Sequence, residues 1–435
     1  MRIDGNGRLT LGSPAPKARH FFWSGFAPPS RWSPGSCAGL ATQAETALGV
    51  PCGRLRINSW AESIPLFWNS YVRVLCRPAA GCRATRCAAP WSTMSQRSEV
   101  VRQAGSGKVL DGVNPTAVIA AIKARARNRS AGRNMADGRR IGLVIEGGGM
   151  RGVCSAGSLV ALEDLGLTDI FDEVYATSAG AMNASYFLSR QARHGITMYY
   201  REMLTRHAVS FLRPWKVLDI DWIIDRVVGG RKRLQSEAIL SSRTRLFVNV
   251  LDAVTGEPWL VDTQRTRTPL LTVLKACTAV PVAYNRAIAV DGRSCIDAGV
   301  ASPFPLREAL ASECTDLLVL LTRPRGFPGA TSGTVTDLLF RVVSARGNAA
   351  LLQAFRDQPK RDAELRALAL GRVAVRHDVN IATLCAEDDE RIGRLTRNPA
   401  RLHAAALRSG HRMLAALGTA IDGWTLPPVR SRESD

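Results

Sequence analysis

The chain has 435 residues, enough to bury a full core as one large domain with additions or as two to three ordinary domains. Its 46% hydrophobic and 22% charged composition is that of a globular protein, but a formal net charge of +21 points to an anionic neighbour or to a coding bias toward Arg and Ala. No window of about 18 apolar residues and no secretory apolar region occur, and the ten cysteines show no C-x-x-C pair or metal-ligand spacing, which argues against a membrane span, general export and a zinc site.

Residues 1–93 carry eleven Lys and Arg against three Asp and Glu, with five of the nine Trp and nine of the 22 Pro, and follow no period of 3.6 or 2. They do not read as a domain. Three accounts compete: an Arg-rich transit segment, a disordered tail for an anionic partner, or upstream sequence translated from a start codon placed too early. The third is favoured, with Met94 as the expected start. Residues 94–140 read as a helix over 115–127 and a polar linker.

Regular patterning begins at Ile141. Strands are predicted over 141–145 and 173–177 and helices over 153–165 and 179–188; further strand-like runs at 245–251, 287–290 and 316–322 are separated by helical stretches. This alternation predicts a layered α/β fold with a mostly parallel central sheet over 141–345. Residues 197–240, rich in Trp, Tyr, Leu and Arg, read as a packed helical insertion or as a lid. Asp219, Asp221 and Asp225 within them have no His or further carboxylate spaced to complete a metal site, so none is assigned. Residues 346–435 read as a C-terminal helical region, with amphipathic helices over 351–370 and 400–417.

Three places in this frame offer chemistry. The first is the Gly-rich turn Glu146-Gly-Gly-Gly-Met-Arg-Gly152, between strand and helix, whose row of backbone N–H groups suits either a pyrophosphate or a transient oxyanion. Its G-x-G-x-x-G spacing allows a dinucleotide reading, but Asp169 and Asp172 precede the next strand instead of closing it. That strand ends instead at Ser178, the second place, in Ala176-Thr-Ser-Ala-Gly180, where small residues two before and two after the Ser fit a nucleophile elbow. A serine needs a base. The six histidines lie in the leader, polar helices or the Arg-rich C-terminal region, and none follows a strand end. Asp297, the third place, follows an Asp291-Gly292 hairpin and enters a small-residue loop, where a carboxylate with apolar neighbours could act on Ser178 directly.

These three elements in this order resemble the patatin-like phospholipase family, as do Ala276-Cys-Thr-Ala-Val-Pro281 and Pro303-Phe-Pro305 around the Asp hairpin. The resemblance covers about residues 141–322, and Glu146 with Asp219-Ile-Asp-Trp222 is similar to a bacterial subgroup. It implies a patatin-like three-layer α/β/α fold, mostly parallel in its sheet, with a helical cap insertion at about 197–240. Ser178 becomes the nucleophile and Asp297 the base of a Ser-Asp dyad. The turn of Gly147, Gly148, Gly149, Met150, Arg151 and Gly152 becomes the oxyanion hole, with the amides of Gly148, Gly149 and Met150 as donors and Arg151 ordering the loop. The implied function is a serine acyl hydrolase that cleaves lipid or phospholipid esters through an acyl-enzyme, with no cofactor, metal or nucleic-acid partner. The expected setting is the cytoplasm, with peripheral contact on an anionic membrane. Two departures, Ala176 at the start of the elbow and Ala298 after Asp297, favour an alternative: a catalytically weak lipid-binding or regulatory protein on the same fold. A left-handed Ala298 would cost about 1–2 kcal/mol. The oligomeric state is not set by the sequence.

Overall fold

A computed structural model of the chain describes residues 2–3, 9–10, 109–132, 137–210, 212–213, 216–327, 340–345, 347–375, 378–387 and 392–429. Most of the leader, the expected start at Met94 and part of the 94–140 linker therefore lie outside the described residues, as do 211, 214 and 215 of the cap. Within the smaller unit, Met1–Ile57, Arg2–Ile3 pairs antiparallel with Leu9–Thr10. Everything that follows concerns the larger unit, Asn58–Asp435.

Its strands are β1 (Ile141–Ile145), β2 (Glu173–Thr177), β3 (Arg245–Asp252), β4 (Pro258–Asp262), β5 (Ile288–Val290), β6 (Arg293–Asp297), β7 (Asp316–Pro324) and β8 (Asn380–Ala386). The α-helices of six residues or more among the described residues are α1 (Pro115–Ser130), α2 (Gly152–Asp164), α3 (Ala179–Leu188), α4 (Leu270–Cys277), α5 (Leu306–Ala311), α6 (Ala349–Ala369) and α7 (Pro399–Ala416). The sheet runs β8-β7-β1-β2-β3-β6-β5, with β4 also on β3. The pairs from β8 to β3 are parallel; β4, β6 and β5 add antiparallel pairs.

Parallel strands joined by helical crossovers are covered on both faces, so their sequences run apolar without alternation. The side chains nonetheless alternate between two cores. Ile141, Leu143 and Ile145 join Val174 and Ala176 against α1, α2, α3 and α7. Val144 and Tyr175 point the other way, to Leu317, Val319 and Leu321 and to Leu365 and Ala369 of α6. The result is the three-layer α/β/α architecture with a mostly parallel sheet.

The C-terminal region is not all helical. Its residues 380–386 form β8, parallel to β7, so the region expected to be a helical appendage completes the sheet. Periodicity hid this strand, because a buried Thr383, whose hydroxyl donates to Ala369 O at 2.5 Å, interrupts an otherwise short apolar run. The outer edge of β8 is itself covered: Ile381 N–H donates to Val113 O and Thr383 N–H to Asp111 O, which leaves less open edge for another strand.

The cap is less regular than expected. Short 3₁₀ turns at Thr197–Tyr200 and Glu202–Leu204 lead through a Val209–Leu218 bridge to a wide π-helix, Trp222–Arg231, and a five-residue helix, Ser236–Leu240. Its aspartates are engaged by cations. Asp219 pairs with Arg213 and Lys216, Asp221 with Lys216 and Lys275, and Asp225 with Lys275.

Candidate active site

β3 sets the geometry that matters. β2 runs parallel to it and stops at Thr177, opposite Asn249. Val250 and Leu251 pair with β4 on one side, so β6 must enter on the other, along the line β2 has just left, and it brings Asp297 opposite Val250. Two strands of opposite direction thus end one residue apart on the same neighbour. Ser178 and Asp297, 119 residues apart in sequence, meet there: the Ser178 hydroxyl donates to Asp297 Oδ2 at 2.6 Å.

Ser178 sits at φ 54, ψ −127, a conformation that non-glycine residues seldom hold and that aims its hydroxyl away from both strand and helix. The turn also brings α3 close to β1. A Cβ on Gly180 would lie 2.8 Å from Ile145 O and 2.9 Å from Glu146 O, so glycine is needed there. Ala176 causes no comparable crowding; it is buried in β2, paired between Ile145 and Val248.

Asp297 is 3% exposed. Its second oxygen, Oδ1, accepts the Gly299 N–H at 2.7 Å, and its own N–H donates to Ala279 O, in the Ala276–Pro281 segment, at 3.2 Å. Burial raises the carboxyl, and the bonds from Ser178 and Gly299 and the charge of Arg394 only partly offset it, so it titrates at about 6. Ala298 begins a short 3₁₀ turn and is not among the residues of positive φ. The strain attached to that departure therefore does not arise.

The Gly-rich turn is held from below and from the side. Below it, the buried Glu146 carboxylate accepts the Thr322 N–H at 2.6 Å and Arg323 Nε at 2.7 Å, while Arg323 forks onto Asp362 of α6. Burial works to raise Glu146, but Arg323, Arg366 and Arg151 outweigh it and hold the carboxyl at about 2. From the side, Arg394 O accepts the Met150 N–H at 3.1 Å. Gly149, at φ +57, leaves space for that carbonyl, which would stand 2.8 Å from any Cβ.

These bonds divide the turn's amides. Gly147 donates to Pro303 O, Met150 to Arg394 O, Arg151 to Gly148 O and Gly152 to Gly149 O. Among the described residues, only the N–H groups of Gly148 and Gly149 in this turn have no backbone acceptor. Met150, expected as a donor, is thus already engaged.

A cavity of about 260 Å³ joins these parts. Ser178, Asp297, Gly148 and Gly149 line it together with Leu218, Ile220, Ile223 and Ile224 of the cap.

Residues 143–310, which contain both Ser178 and Asp297, match the family described as Patatin-like phospholipase. That segment is similar to a patatin-like phospholipase domain. Over 199 residues the chain is 28% identical to "Uncharacterized protein YjjU" of Escherichia coli K12, a match that takes in 42% of this chain and 52% of the relative, about half its length. Two solved structures are also similar. VipD from Legionella pneumophila aligns at 14% identity and a TM-score of 0.33 over 64% of this chain and 67% of its own; the type III effector protein ExoU aligns at 11% and 0.30 over 64% and 53%.

Arg323, Asp362 and Arg394 lie beyond the matched patatin-like segment, and none of them stood out in the sequence. A single Arg has no local signal in a chain this rich in Arg, and Asp362 reads as an ordinary residue of an exposed helix face.

Proposed function

We propose that the chain is a serine acyl hydrolase that cleaves lipid or phospholipid ester bonds through a Ser178–Asp297 dyad. The observation that carries this reading is the 2.6 Å bond from Ser178 to Asp297 at a strained strand-to-helix turn that opens on a largely apolar cavity. Asp297 Oδ2 takes the hydroxyl proton as Ser178 Oγ attacks the ester carbonyl. The resulting oxyanion is met by the Gly148 and Gly149 amides, whose turn is closed by the Arg151 N–H on Gly148 O. Protonated Asp297 then passes its proton to the departing alcohol oxygen, leaving an acyl-enzyme. Water, deprotonated by Asp297, attacks that ester, and the fatty acid leaves as Ser178 regains its proton. A base near pH 6 suits both halves, since it is mostly ionised at neutrality yet acidic enough as a conjugate acid to donate.

The acyl chain is taken by the cap side of the cavity, whose walls at Leu218, Ile220, Ile223 and Ile224 are aliphatic. No helix among the described residues is long and apolar enough to cross a membrane. The net charge of +21 fits work at an anionic lipid surface.

The test is hydrolysis of phospholipid and nitrophenyl esters by the purified chain, with fluorophosphonate labelling. Wild type should turn over and label, whereas Ser178→Ala should do neither. Retained turnover in Ser178→Ala would exclude the mechanism.

A further inference from the structure

The Gly-rich turn leans on a piece of chain that lies outside the matched segment, residues 143–310. Met150 N–H donates to Arg394 O at 3.1 Å, and a Cβ on Gly149 would stand 2.8 Å from the same carbonyl. The backbone of Arg394 makes this contact, while its side chain is exposed. The direction of one peptide group therefore decides whether the Met150 amide is drawn aside from the cavity.

That direction is fixed from several sides. Locally, the Thr396 N–H donates to Gly393 O at 3.3 Å and the Thr396 hydroxyl accepts the Gly393 N–H at 2.7 Å. The side-chain bond pins the Arg394–Leu395 peptide in the middle of the turn so formed. Downstream, Asn398 caps α7 by accepting the Arg401 N–H at 3.0 Å. α7 in turn lies against the backbone of α2, since a Cβ on Gly157 would fall 2.0 Å from Ala406 O. Because α2 starts at Gly152, where the Gly-rich turn ends, both sides of the Met150–Arg394 contact belong to one packed frame. Sideways, Arg397 donates to Leu204 O of the cap at 2.6 Å. Neighbouring cap residues are fastened to the C-terminal segment as well, the Tyr200 hydroxyl donating to Pro427 O and Arg201 to Pro428 O.

We propose that residues 393–397 are a strap that positions the oxyanion hole, with Thr396 and Arg397 as its positioning residues. Thr396 aims the Arg394 carbonyl that takes the Met150 N–H, which leaves Gly148 and Gly149 as the donors at the cavity. Arg397 ties the same strap to the cap, so those donors are in register with Ser178 when the cap is seated. The purpose given to the turn rests on the hydrolase reading; the contacts themselves do not.

The test uses the full chain with Thr396→Val, which keeps the shape and removes the acceptor, Thr396→Ser, which keeps the acceptor, and Arg397→Ala at an exposed position. In Thr396→Val, kcat on a phospholipid ester should fall about 10- to 100-fold with KM held within about twofold, the mark of donors misplaced for the transition state alone. Thr396→Ser should recover most of that loss. Hydrogen exchange supplies a readout independent of turnover: residues 146–152 should exchange about tenfold faster in Thr396→Val, with the strands of the sheet as slow as in wild type. Arg397→Ala should speed exchange in both 200–205 and 146–152. Unchanged exchange at 146–152 in Thr396→Val, or a faster cap with an unchanged turn in Arg397→Ala, overturns the proposal. So does a rise spread evenly over the sheet, which is ordinary destabilisation. If wild type hydrolyses no ester, the hydrolase reading fails and the exchange results alone decide the strap. If Ser178→Ala is inert but Thr396→Val keeps full kcat, the strap fails and the hydrolase reading stands.

Discussion

Asp297→Asn should stabilise the protein at neutral pH even though it removes the proposed base. The carboxyl titrates at about 6 in the folded chain instead of its ordinary 3.8, so the folded state binds its proton more tightly than the unfolded state does. Stability from this group is therefore fully present below pH 3.8 and is lost as pH rises toward 6. At pH 7 the ionised, buried carboxylate costs about 3 kcal/mol, falling to about 1 kcal/mol near pH 4.5 and almost nothing near pH 3.5. Asparagine fits the same space: its oxygen can accept the Gly299 N–H while its amide donates to a Ser178 hydroxyl rotated to receive it. Urea unfolding of wild type and Asp297→Asn across pH 3.5 to 7.5 measures the difference. The variant should gain about 3 kcal/mol at pH 7, and the two curves should converge in acid. A variant less stable than wild type at pH 7, or a difference flat with pH, would refute the assignment of a desolvated carboxylate at this position.

Three further predictions follow from the same geometry. The acid limb of kcat/KM should fall with unit slope below about pH 6 as Asp297 takes up its proton; because the Arg394 charge lowers that carboxyl, Arg394→Gln should move the limb to higher pH. Gly180→Ala should destabilise by about 1–3 kcal/mol and depress ester turnover, because its Cβ would meet two carbonyl oxygens under 3 Å away; urea midpoints and initial rates report each. Asp362→Ala should cost about 3 kcal/mol in urea unfolding, since Arg323, 2% exposed, would keep Glu146 but lose its forked partner.

The parts of the fold that could be read from sequence were those where one physical cue dominated. β1, β2 and α3 match their predicted bounds, because continuous apolar runs bounded by Gly-rich or Ser-Ala-Gly turns leave little choice of ends. β4 and β8 escaped, since Pro258-Trp-Leu-Val-Asp262 and Asn380-Ile-Ala-Thr-Leu-Cys-Ala386 lack a decisive period and acquire their state from the strands they pair with. Ser178 and Asp297 were each legible locally. Their direct contact was expected too, but not the route to it, which depends on β3 pairing with β2 and β6 in succession along one side, and register is not written in either strand alone. Arg394 was invisible for a different reason: it stands in Arg391-Ile-Gly-Arg-Leu-Thr-Arg397, a run that reads as solvated charge, and only the tertiary placement of its carbonyl on Met150 brings it to the cavity.

That carbonyl also bears on the G-x-G-x-x-G match. A pyrophosphate needs several free amides at the start of a helix, converging from a loop that approaches it closely. Here the amides of Met150, Arg151 and Gly152 are spent on Arg394 O, Gly148 O and Gly149 O, and the space beside Gly149 is filled by Arg394 O itself. Two donors remain, at Gly148 and Gly149. Two is the number a single oxyanion uses and too few for a pair of phosphates. The third glycine of the spacing has a separate explanation: a Cβ on Gly152 would fall 2.4 Å from the Tyr199 hydroxyl and 2.9 Å from Ala179 Cβ. It is small because the cap and the start of α3 close over it. The motif's spacing is thus met by packing around Ser178, and no bound cofactor is needed to account for any of its glycines.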